Sequence, residues 1–301
     1  MITKMVSITV FTPVYNRAYI IEKLYKSLCQ QSVKDFEWVI VNDGSTDNIN
    51  ELINKWISRD NGFEINYIST PNQGKHCAIN KGVEIAKGRL FFIVDSDDYL
   101  IEKAIELVLK KEREMPDHGF AGLAFNRGYN TNTVIGKTFL GHYIDATSLE
   151  KCKYHIMGDK AEIFYTDILK NYPFPKFEGE NFLTENTIWY KIADDGYKLR
   201  WFNEIIYICH YLPDGLSADK TLGVRNIEGY TYSTKQMLGY NLPFIDKFKM
   251  IGSYMYAAKQ NNLSYSEASK RVGANRLLLF IGYILIIVKR AIKKIIHSKP
   301  F

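Results

Sequence analysis

The stretch FFIVDSDDYL, residues 91–100, joins a run of apolar residues directly to a cluster of carboxylates. The apolar half has the composition of a buried strand, and Asp95, Asp97 and Asp98 follow it within four positions. Carboxylates this close repel one another and raise one another's pKa unless a cation or hydrogen bonds compensate their charge. The stretch therefore predicts a buried strand that ends at a functional site.

The hundred residues that end in this stretch alternate between strand and helix patterns. We expect strands in VSITVFTPV, FEWVIVNDGS, EINYIST and RLFFIVD, and helices in AYIIEKLYKSLCQQS, TDNINELINKWISR, KHCAINKGVEIAKG and LIEKAIELVLKKERE. Thr46 or Ser45 is expected to cap the second helix, and Gly88 to close the third. Apolar strands that alternate with helices predict a parallel sheet covered on both faces.

Three polar segments fall at the carboxyl ends of these strands. They are TPVYNR, VNDGSTD and DSDD. In an open α/β sheet the ligand crevice lies beyond the carboxyl ends of the strands. The sequence therefore predicts that the carboxylate cluster lines this crevice.

Beyond residue 116 the pattern is less regular. HGFAGLAFNRG and LRWFNEIIYICHYL predict further strands, TENTIWYKIADDG predicts a helix with Thr184 as a possible cap, and 220–270 has a helical pattern. We find neither an internal repeat nor a low-complexity linker. We therefore predict one α/β domain over residues 1–219 and a helical region over 220–301.

The C-terminal tail combines an apolar run with basic residues. Residues 277–288 carry no charge, but this run of roughly twelve residues is shorter than the ~20 that span a bilayer. The basic residues that follow it are Lys289, Arg290, Lys293 and Lys294, interleaved with Ile292, Ile295 and Ile296. A basic, amphipathic end predicts a helix that lies on an anionic membrane surface. A helix packed on the domain with a solvated basic end is the alternative.

Overall charge and cysteine content restrict the class of protein. The formal charge is +6 and much of it lies in the tail, so we predict no nucleic-acid partner. The four cysteines, Cys29, Cys77, Cys152 and Cys209, are far apart and form no CxxC pair. This spacing favours buried thiols in a reducing cytoplasm over zinc ligands. The N-terminus enters a strand without a cleavage site, so we expect no signal peptide and a cytoplasmic protein.

Closely spaced carboxylates suit a hard divalent cation such as Mg²⁺ or Mn²⁺. An ion at this site would relieve the repulsion and clamp a diphosphate, which fits an enzyme whose leaving group is a nucleoside diphosphate. An EF-hand is excluded because Tyr99 stands where that loop needs an oxygen ligand. No GxGxxG follows the first strand, and NQGKH lacks the first glycine and the hydroxyl residue of a P-loop. We therefore expect phosphate to be held by metal and cationic side chains.

Four ordered motifs, TPVYNR, VNDGSTD, NQGKHCAINKG and DSDD, resemble the nucleotide-sugar half of family 2 glycosyltransferases, which have the GT-A fold. The resemblance covers roughly residues 5–215. It implies a GT-A-type α/β fold with a central, mostly parallel sheet, followed by the C-terminal helical region. Within the domain it implies a nucleotide-binding half at 1–100 and an acceptor half at 101–219, with a UDP-sugar as donor.

The resemblance assigns the uridine pocket to the first two strand ends. Asp43 would accept a hydrogen bond from the uracil edge, and Gly44 would permit the close turn beside it. Pro13 and Tyr15 would contact uridine from below. An ordinary Asp-Gly turn is the alternative for Asp43.

The resemblance assigns the diphosphate and the metal to residues further along the chain. Lys75 would approach the nucleotide or its phosphates, although a solvated surface lysine is the alternative. Asp95 would face ribose or metal, with Ser96 beside it in the nucleotide site. Asp97 would coordinate Mn²⁺ or Mg²⁺ directly.

Inverting transfer needs a carboxylate that takes the proton of the acceptor hydroxyl. In the resembled family an acidic pair at a helix start supplies it, whereas here GENFLTENTIWYKIA has Glu185 followed by Asn186. Asn186 cannot take up the proton, so we predict Glu185 as the base, with Glu180 and Asp195 as lesser candidates. Stabilisation of the helix N-terminus alone is the alternative role for Glu185.

The resemblance implies a metal-dependent, inverting hexosyltransferase that moves a hexose or N-acetylhexosamine from a UDP-sugar to a glycan or polyprenyl-linked glycan acceptor. We expect it to act in surface polysaccharide biosynthesis, such as capsule, on the inner face of the cell membrane. A sugar-phosphate nucleotidyltransferase is the first alternative, but TPVYNRAYI lacks the Gly-rich loop that it needs. A non-catalytic UDP-sugar-binding subunit of a polysaccharide assembly complex is the second, because of Asn186.

Overall fold

The structure is a computed structural model that describes residues 6–297, without the side chains of residues 217 and 293–297. Ten strands of these residues form one sheet. The strands are β1 (Ile8–Val14), β2 (Phe36–Asp43), β3 (Glu64–Thr70), β4 (Leu90–Ile93), β5 (Tyr99–Leu100), β6 (Phe120–Asn130), β7 (Thr133–Val134), β8 (Tyr143–Ala146), β9 (Lys160–Tyr165) and β10 (Lys198–Ile208). The α-helices of the same residues are α1 (Glu22–Cys29), α2 (Ile49–Ile57), α3 (Lys75–Ile85), α4 (Ala104–Glu112), α5 (Thr166–Leu169), α6 (Asn186–Asp194), α7 (Leu222–Arg225), α8 (Ile227–Gly239), α9 (Phe244–Gln260), α10 (Tyr265–Val272) and α11 (Arg276–His297). Every strand and helix expected in the first hundred residues is confirmed.

The sheet has the order β3-β2-β1-β4-β9-β6-β10-β5, with β7 beside β6 and β8 beside β10. The first four strands pair in parallel. β9 runs antiparallel to both β4 and β6, and β10 is parallel to β6. Six strands therefore share one direction, which confirms an α/β fold with a mostly parallel sheet. Because Val14 lies opposite Asn42 and Phe11 opposite Ile93, the ends of β1, β2 and β4 meet at one edge.

Three expected helix ends are wrong, and at α2 the reason is that tertiary contacts take the residues expected to cap it. Asn48 stands at the N-cap of α2, while the Ser45 hydroxyl accepts the backbone N–H of Asn16 at 2.9 Å. The backbone N–H of Thr46 donates to the Asn16 side chain at 2.8 Å. These two contacts fix the turn against the end of β1 instead of against its own helix.

The other two differences concern α3 and α6. α3 ends at Ile85, and Gly88 lies where a Cβ would overlap the backbone of Thr9 in β1. Gly88 therefore permits two backbones to approach, and it does not cap the helix. α6 begins at Asn186 with Glu185 at its N-cap, so Thr184 lies one residue too early to cap it.

One cluster of buried apolar side chains covers each face of the sheet. A third, separate cluster joins α9, α10 and α11, and its members include Tyr254, Met255, Ala258, Val272 and Leu279. The helical pattern expected over 220–270 is thus confirmed.

Two glycines allow α9 and α11 to pack at short range. A Cβ on Gly252 would lie 2.5 Å from the carbonyl oxygen of Gly282. Further along, the Arg290 guanidinium lies 3.6 Å from the ring centroid of Tyr256. Residue 252 of α9 contacts residue 282 of α11, and the later residue 256 contacts the later residue 290, so the two helices run parallel.

One face of α11 is apolar and exposed. Its exposed residues are Leu277, Phe280, Ile281, Ile284, Leu285, Ile287, Val288 and Ile292. Lys289 and Arg290 follow on the same helix, whereas the side chains of Lys293, Lys294, Ile295 and Ile296 lie outside the described residues. Within 6–297 no single helix is long and apolar enough to cross a membrane; only α10 and α11 together have the length and composition, and they are bent by 109°.

Candidate functional site

The turn after β2 is tied to the loop before α3. The two carboxylate oxygens of Asp43 accept the backbone N–H groups of Gln73 and Gly74, each at 2.8 Å. Burial raises the pKa of Asp43, and these two hydrogen bonds oppose that rise. Gly44 has φ of 77°, and a Cβ there would lie 2.7 Å from the backbone nitrogen of Asn72. The expected close turn is present, and Asp43 also orders the loop that leads to Lys75.

Lys75, the first residue of α3, joins two carboxylates from distant parts of the chain. Its Nζ lies 2.6 Å from Oδ1 of Asp95 and 2.9 Å from Oε1 of Glu185. Burial lowers the pKa of Lys75, but the two carboxylates outweigh burial and raise it above its usual value. The side chain is only 21% exposed, so a solvated surface lysine is wrong. One ammonium group connects the end of β4 to the start of α6.

Asp95 has a second cationic partner that the sequence analysis did not identify. NH1 of Arg127 lies 3.4 Å from Oδ2 of Asp95, and the guanidinium stacks 4.2 Å from the ring centroid of Tyr207. The Tyr207 hydroxyl accepts the backbone N–H of Asp95 at 2.9 Å. Burial raises the pKa of Asp95, but Lys75 and Arg127 outweigh it and lower the pKa to about 2. Protein cations therefore compensate this carboxylate.

A sequence signal did exist for Arg127 but not for Tyr207. Arg127 lies in β6, where a buried charged side chain is unusual, whereas Tyr207 lies in β10 and tyrosine is common in strands. Arg127 is 15% exposed and Tyr207 is fully buried. An arginine inside an apolar strand indicates a buried anion nearby, but the sequence does not say which one.

Asp98 is buried and links the cluster to the end of β10. Its Oδ1 accepts the backbone N–H of His210 at 2.7 Å, and its Oδ2 lies 3.9 Å from NH1 of Arg127. Burial, and then the charge of Asp95, raises the pKa of Asp98 to about 6. The His210 ring lies 2.8 Å from Nζ of Lys23. Asp98 thus serves to fix the chain where β10 ends.

Asp97 differs from both neighbours because its carboxylate has no side-chain hydrogen-bond or ion-pair partner among the described side chains, which leave out residue 217. It is half-buried, and burial followed by the charge of Asp95 raises its pKa. No set of three His, Cys, Asp or Glu side chains in the described part of the chain could hold a metal ion. Mg²⁺ commonly binds one or two carboxylates together with substrate phosphates and waters. The donor set around Asp97 fits an ion held in that shared way, and it does not fit a site made by protein alone.

The remaining predicted residues line the same edge of the sheet. Pro13 lies in β1 opposite Val41, and Tyr15 follows that strand with half of its side chain exposed. Ser96 is buried between Asp95 and Asp97. Lys75 thus contacts both Asp95 and Glu185 directly. Pro13 and Tyr15 lie near this group only because the ends of β1, β2 and β4 are aligned.

Both lesser candidates for the base have structural partners. The two carboxylate oxygens of Glu180 accept the backbone N–H groups of Glu228 and Gly229 at 2.7 and 2.8 Å, at the start of α8. Asp195 accepts a hydrogen bond from the Tyr172 hydroxyl at 2.8 Å. Glu185 is the one of the three that reaches the carboxylate cluster through Lys75.

The segment 181–185, which carries Glu185, is held from two sides. Gly74 has φ of 90°, and a Cβ on it would overlap the backbone carbonyl of Asn181. On the other side, the Asn226 side chain accepts the backbone N–H groups of Asn181 and Phe182 at 2.8 and 3.0 Å. The position of Glu185 therefore depends on both the strand-end loop and the C-terminal helices.

A further contact crosses the crevice. NH1 of Arg17, after β1, lies 2.7 Å from Oδ2 of Asp214, in the segment that follows β10. The Tyr19 hydroxyl donates to the same oxygen at 2.9 Å. The loop after β10 is thus fastened to the loop after β1, over the strand ends that carry the site.

A family model described as Glycosyl transferase family 2 matches residues 9–172. Hyaluronan synthase of Pasteurella multocida is 41% identical over 110 residues, which are 36% of this chain and 11% of that protein. The GalNAc(5)-diNAcBac-PP-undecaprenol beta-1,3-glucosyltransferase of Campylobacter jejuni is 26% identical over 193 residues, 62% of this chain and 59% of that protein. The matched stretch is thus less than two thirds of the length of either relative.

Two solved structures have a similar fold. S. aureus TarS 1-349 in complex with UDP-GlcNAc has a TM-score of 0.62 at 19% identity, over 87% of this chain and 75% of that one. The mannosyltransferase PcManGT from Pyrobaculum calidifontis, in complex with GDP-Man and Mn²⁺, has a TM-score of 0.57 at 17% identity, over 95% and 79%. At these identities the likeness concerns the fold alone.

Proposed function

The chain belongs to glycosyl transferase family 2, and from this premise we propose that it moves a hexose or N-acetylhexosamine from a UDP-sugar to a glycan or lipid-linked glycan, with inversion at C1. The observation that supports this best is the position of Lys75. Its ammonium contacts Asp95, at the predicted nucleotide end of β4, and Glu185, the predicted base. A donor site and an acceptor-side carboxylate thus share one crevice.

The proposed donor site consists of the strand ends and the loop before α3. Pro13, Tyr15, Asp43 and Gly44 form the uridine side, and Lys75, Asp95 and Ser96 the side of ribose and diphosphate. A UDP-sugar is favoured over other nucleotide sugars by the resemblance of VNDGSTD to the uridine-binding motif, and TarS, which has a similar fold, is solved with UDP-GlcNAc.

We propose that Asp97, assisted by Asp95, holds Mn²⁺ or Mg²⁺ together with the donor diphosphate. When bound, such an ion supplies positive charge that offsets the charge of the departing UDP. The support is the Asp97 carboxylate, which has no partner in the described part of the chain, and PcManGT of a similar fold is solved with Mn²⁺.

The proposed reaction has one bond exchange and one proton transfer. The oxygen of the acceptor hydroxyl forms a bond to C1 of the sugar while the bond from C1 to the diphosphate breaks, and its electron pair leaves with UDP. The hydroxyl proton passes to the carboxylate of Glu185. Lys75 holds that carboxylate in the crevice, and Asn186 after it contributes no second carboxylate.

A lipid-linked acceptor is favoured by two observations. The Campylobacter relative is named for an undecaprenol-linked substrate, and α11 combines an exposed apolar face with Lys289 and Arg290. We propose that the protein acts on such an acceptor at the inner face of the cell membrane, in the synthesis of a surface polysaccharide such as capsule.

The function is tested by UDP release from a panel of UDP-sugars with a membrane-derived glycolipid extract as acceptor. We expect release with Mn²⁺, loss of release with EDTA, and a loss of at least 100-fold in Glu185→Gln, because a base contributes about 10²–10⁴-fold. The matched control is Glu178→Gln, an exposed residue of the same loop, which should react like the wild type. UDP affinity should be equal in all three proteins.

Three outcomes would contradict parts of the proposal. UDP-sugar binding without turnover in the wild type would indicate the non-catalytic subunit. Turnover in Glu185→Gln close to that of Glu178→Gln would exclude Glu185 as the base. Thermal stabilisation by GDP or dTDP but not by UDP would refute the donor.

A further inference from the structure

A partly open cavity of about 240 Å³ lies outside the crevice, between the C-terminal helices and the segment 181–185. Phe182, Leu183 and Thr184 form one wall, and residues of α7, α8, α9 and α11 form the others. The chain leads from Thr184 directly to Glu185. A ligand in this cavity would therefore lie one residue along the chain from the proposed base.

The charged side chains in the largely apolar lining have one sign. Lys220 and Arg290 contribute two cationic side chains, and within the described residues no Asp or Glu lines the cavity. Ser233, Ser253 and Tyr230 add hydroxyl groups that can donate hydrogen bonds. Two cations without a carboxylate favour an anionic ligand, and several hydroxyl donors favour one with many acceptor oxygens, such as a phosphoryl group.

Arg290 is oriented before any ligand binds. Its guanidinium stacks 3.6 Å from the ring centroid of Tyr256. Tyr230 lines the same cavity as Arg290. Burial raises the pKa of Tyr230 to about 12, while the Ser253 hydroxyl and the Arg290 charge oppose the rise. Stacking restricts the planar guanidinium, which lowers the entropic cost of a paired contact to phosphate.

Arg290 connects the cavity to α11, because it lines the cavity and belongs to that helix. Ile287 and Val288, three and two residues before it, are exposed. We propose that the cavity binds the phosphoryl group of a phosphate-linked acceptor, and that the lipid chain attached to this phosphate lies on the exposed face of α11. This inference rests on the lipid-linked acceptor of the proposed function and adds the residues that would recognise it.

The test measures binding of three probes to the full chain by calorimetry, with UDP and Mn²⁺ added first to fill the donor site. The probes are farnesyl diphosphate, inorganic pyrophosphate and farnesol. We expect farnesyl diphosphate to bind at least tenfold more tightly than the other two, because it alone supplies both phosphate and lipid chain. Arg290→Gln should weaken its binding at least tenfold, and Lys220→Gln about threefold.

The matched control is Arg276→Gln, which removes the same charge from the same helix but at a residue that does not line the cavity. It should bind all three probes like the wild type. Lys220 is exposed in a loop, so its variant remains informative if Arg290→Gln fails to fold. Equal binding of farnesyl diphosphate by the wild type, Arg290→Gln and Lys220→Gln would overturn the proposal.

The other outcomes separate the sources of the phosphate. Pyrophosphate binding as tight as that of farnesyl diphosphate, and sensitive to Arg290→Gln, would overturn the lipid-linked ligand in favour of free phosphate. Equally tight binding of farnesol would overturn the phosphoryl site. A separate titration with UDP alone reports on the donor site, so a failure of the proposed function would appear there and leave the Arg290 comparison intact.

Discussion

The three carboxylates of the DSDD cluster have three different environments, and these differences divide the work between them. Asp95 has two cationic partners and a pKa of about 2, whereas Asp98 is buried with a pKa of about 6. Asp97 has no side-chain partner among the side chains that the structure describes. Neighbouring carboxyl groups whose pKa values are pushed apart often have separate chemical roles. Here Asp98 fixes the backbone, Asp95 holds Lys75, and Asp97 is left for a ligand.

His76, beside Lys75 in α3, should make stability depend on pH. It is 2% exposed, its Nδ1 has no hydrogen-bond partner in the described part of the protein, and burial lowers its pKa from 6.5 to about 4. Below pH 6.5 the unfolded chain takes up a proton that the native state refuses, so stability falls as pH drops from 6.5 towards 4. This loss amounts to roughly 3 kcal/mol.

His76→Gln should remove that part of the pH dependence, whatever it does to stability at pH 7. The measurement is urea unfolding between pH 7 and pH 4.5. The control, His118→Gln, changes an exposed histidine and should keep the wild-type slope. An unchanged slope in His76→Gln would mean that the imidazole is charged in the native state.

At this scale the sequence named candidate residues but not the contacts between them. Asp95 and Asp97 were named from the carboxylate cluster at the end of a predicted strand, and Glu185 from the resemblance to family 2 glycosyltransferases. Arg127 stands out as a charged residue in a strand, but neither its partner nor the role of Tyr207 could be named, because their contacts with Asp95 join residues 32 and 112 positions apart. No local pattern records such a pairing.

Among the elements, the strands were predicted well and the helix ends poorly. Apolar runs that alternate with amphipathic helices are typical of strands in a sheet covered on both faces. The sequence pattern therefore sufficed to predict β1 to β4. A capping residue has several possible partners, and Ser45 and Thr46 bond to the loop after β1 instead of to α2. Tertiary hydrogen bonds of Ser45 and Thr46 thus determine where α2 begins, and capping propensity alone could not predict it.

The contact between α9 and α11 gives a prediction about packing. Gly252→Val would force a side chain against Gly282, where even a Cβ lies 2.5 Å from the carbonyl oxygen. We expect a loss of about 1–3 kcal/mol, the usual cost of overpacking. Gly239→Val is the matched control, because a Cβ there meets nothing within 4 Å. Chemical denaturation of both variants tests this, and equal stability would mean that the two helices separate without cost.

At the scale of the whole molecule, the exposed face of α11 is an apolar surface next to basic residues. Such a surface favours an anionic bilayer over water. Ile281 and Leu285, which are 40% and 52% exposed, lie on it and contribute little to the described core. Replacing both with Gln should therefore change membrane affinity while the fold is kept.

We expect the wild type to float with phosphatidylglycerol vesicles and less with phosphatidylcholine, with binding that weakens as salt rises. The double variant Ile281→Gln/Leu285→Gln should bind at least tenfold more weakly, since each buried aliphatic side chain contributes about 1.5–3 kcal/mol. The control is Ile57→Gln/Leu140→Gln, which changes two exposed residues elsewhere. Equal flotation of the two double variants would refute a membrane role for α11.

The contacts of Gly74 and Asn226 with the backbone of the segment 181–185 have a consequence for protein engineering. A chimaera that moves only residues 181–185 of this chain into another enzyme would lose one or both anchors, because Gly74 and Asn226 stay behind, and the orientation of the transplanted carboxylate would then depend on its new neighbours. The smallest exchangeable unit is therefore this segment together with the helices that hold it and the glycine it rests on. Grafting should succeed in proportion to how completely that unit is transferred.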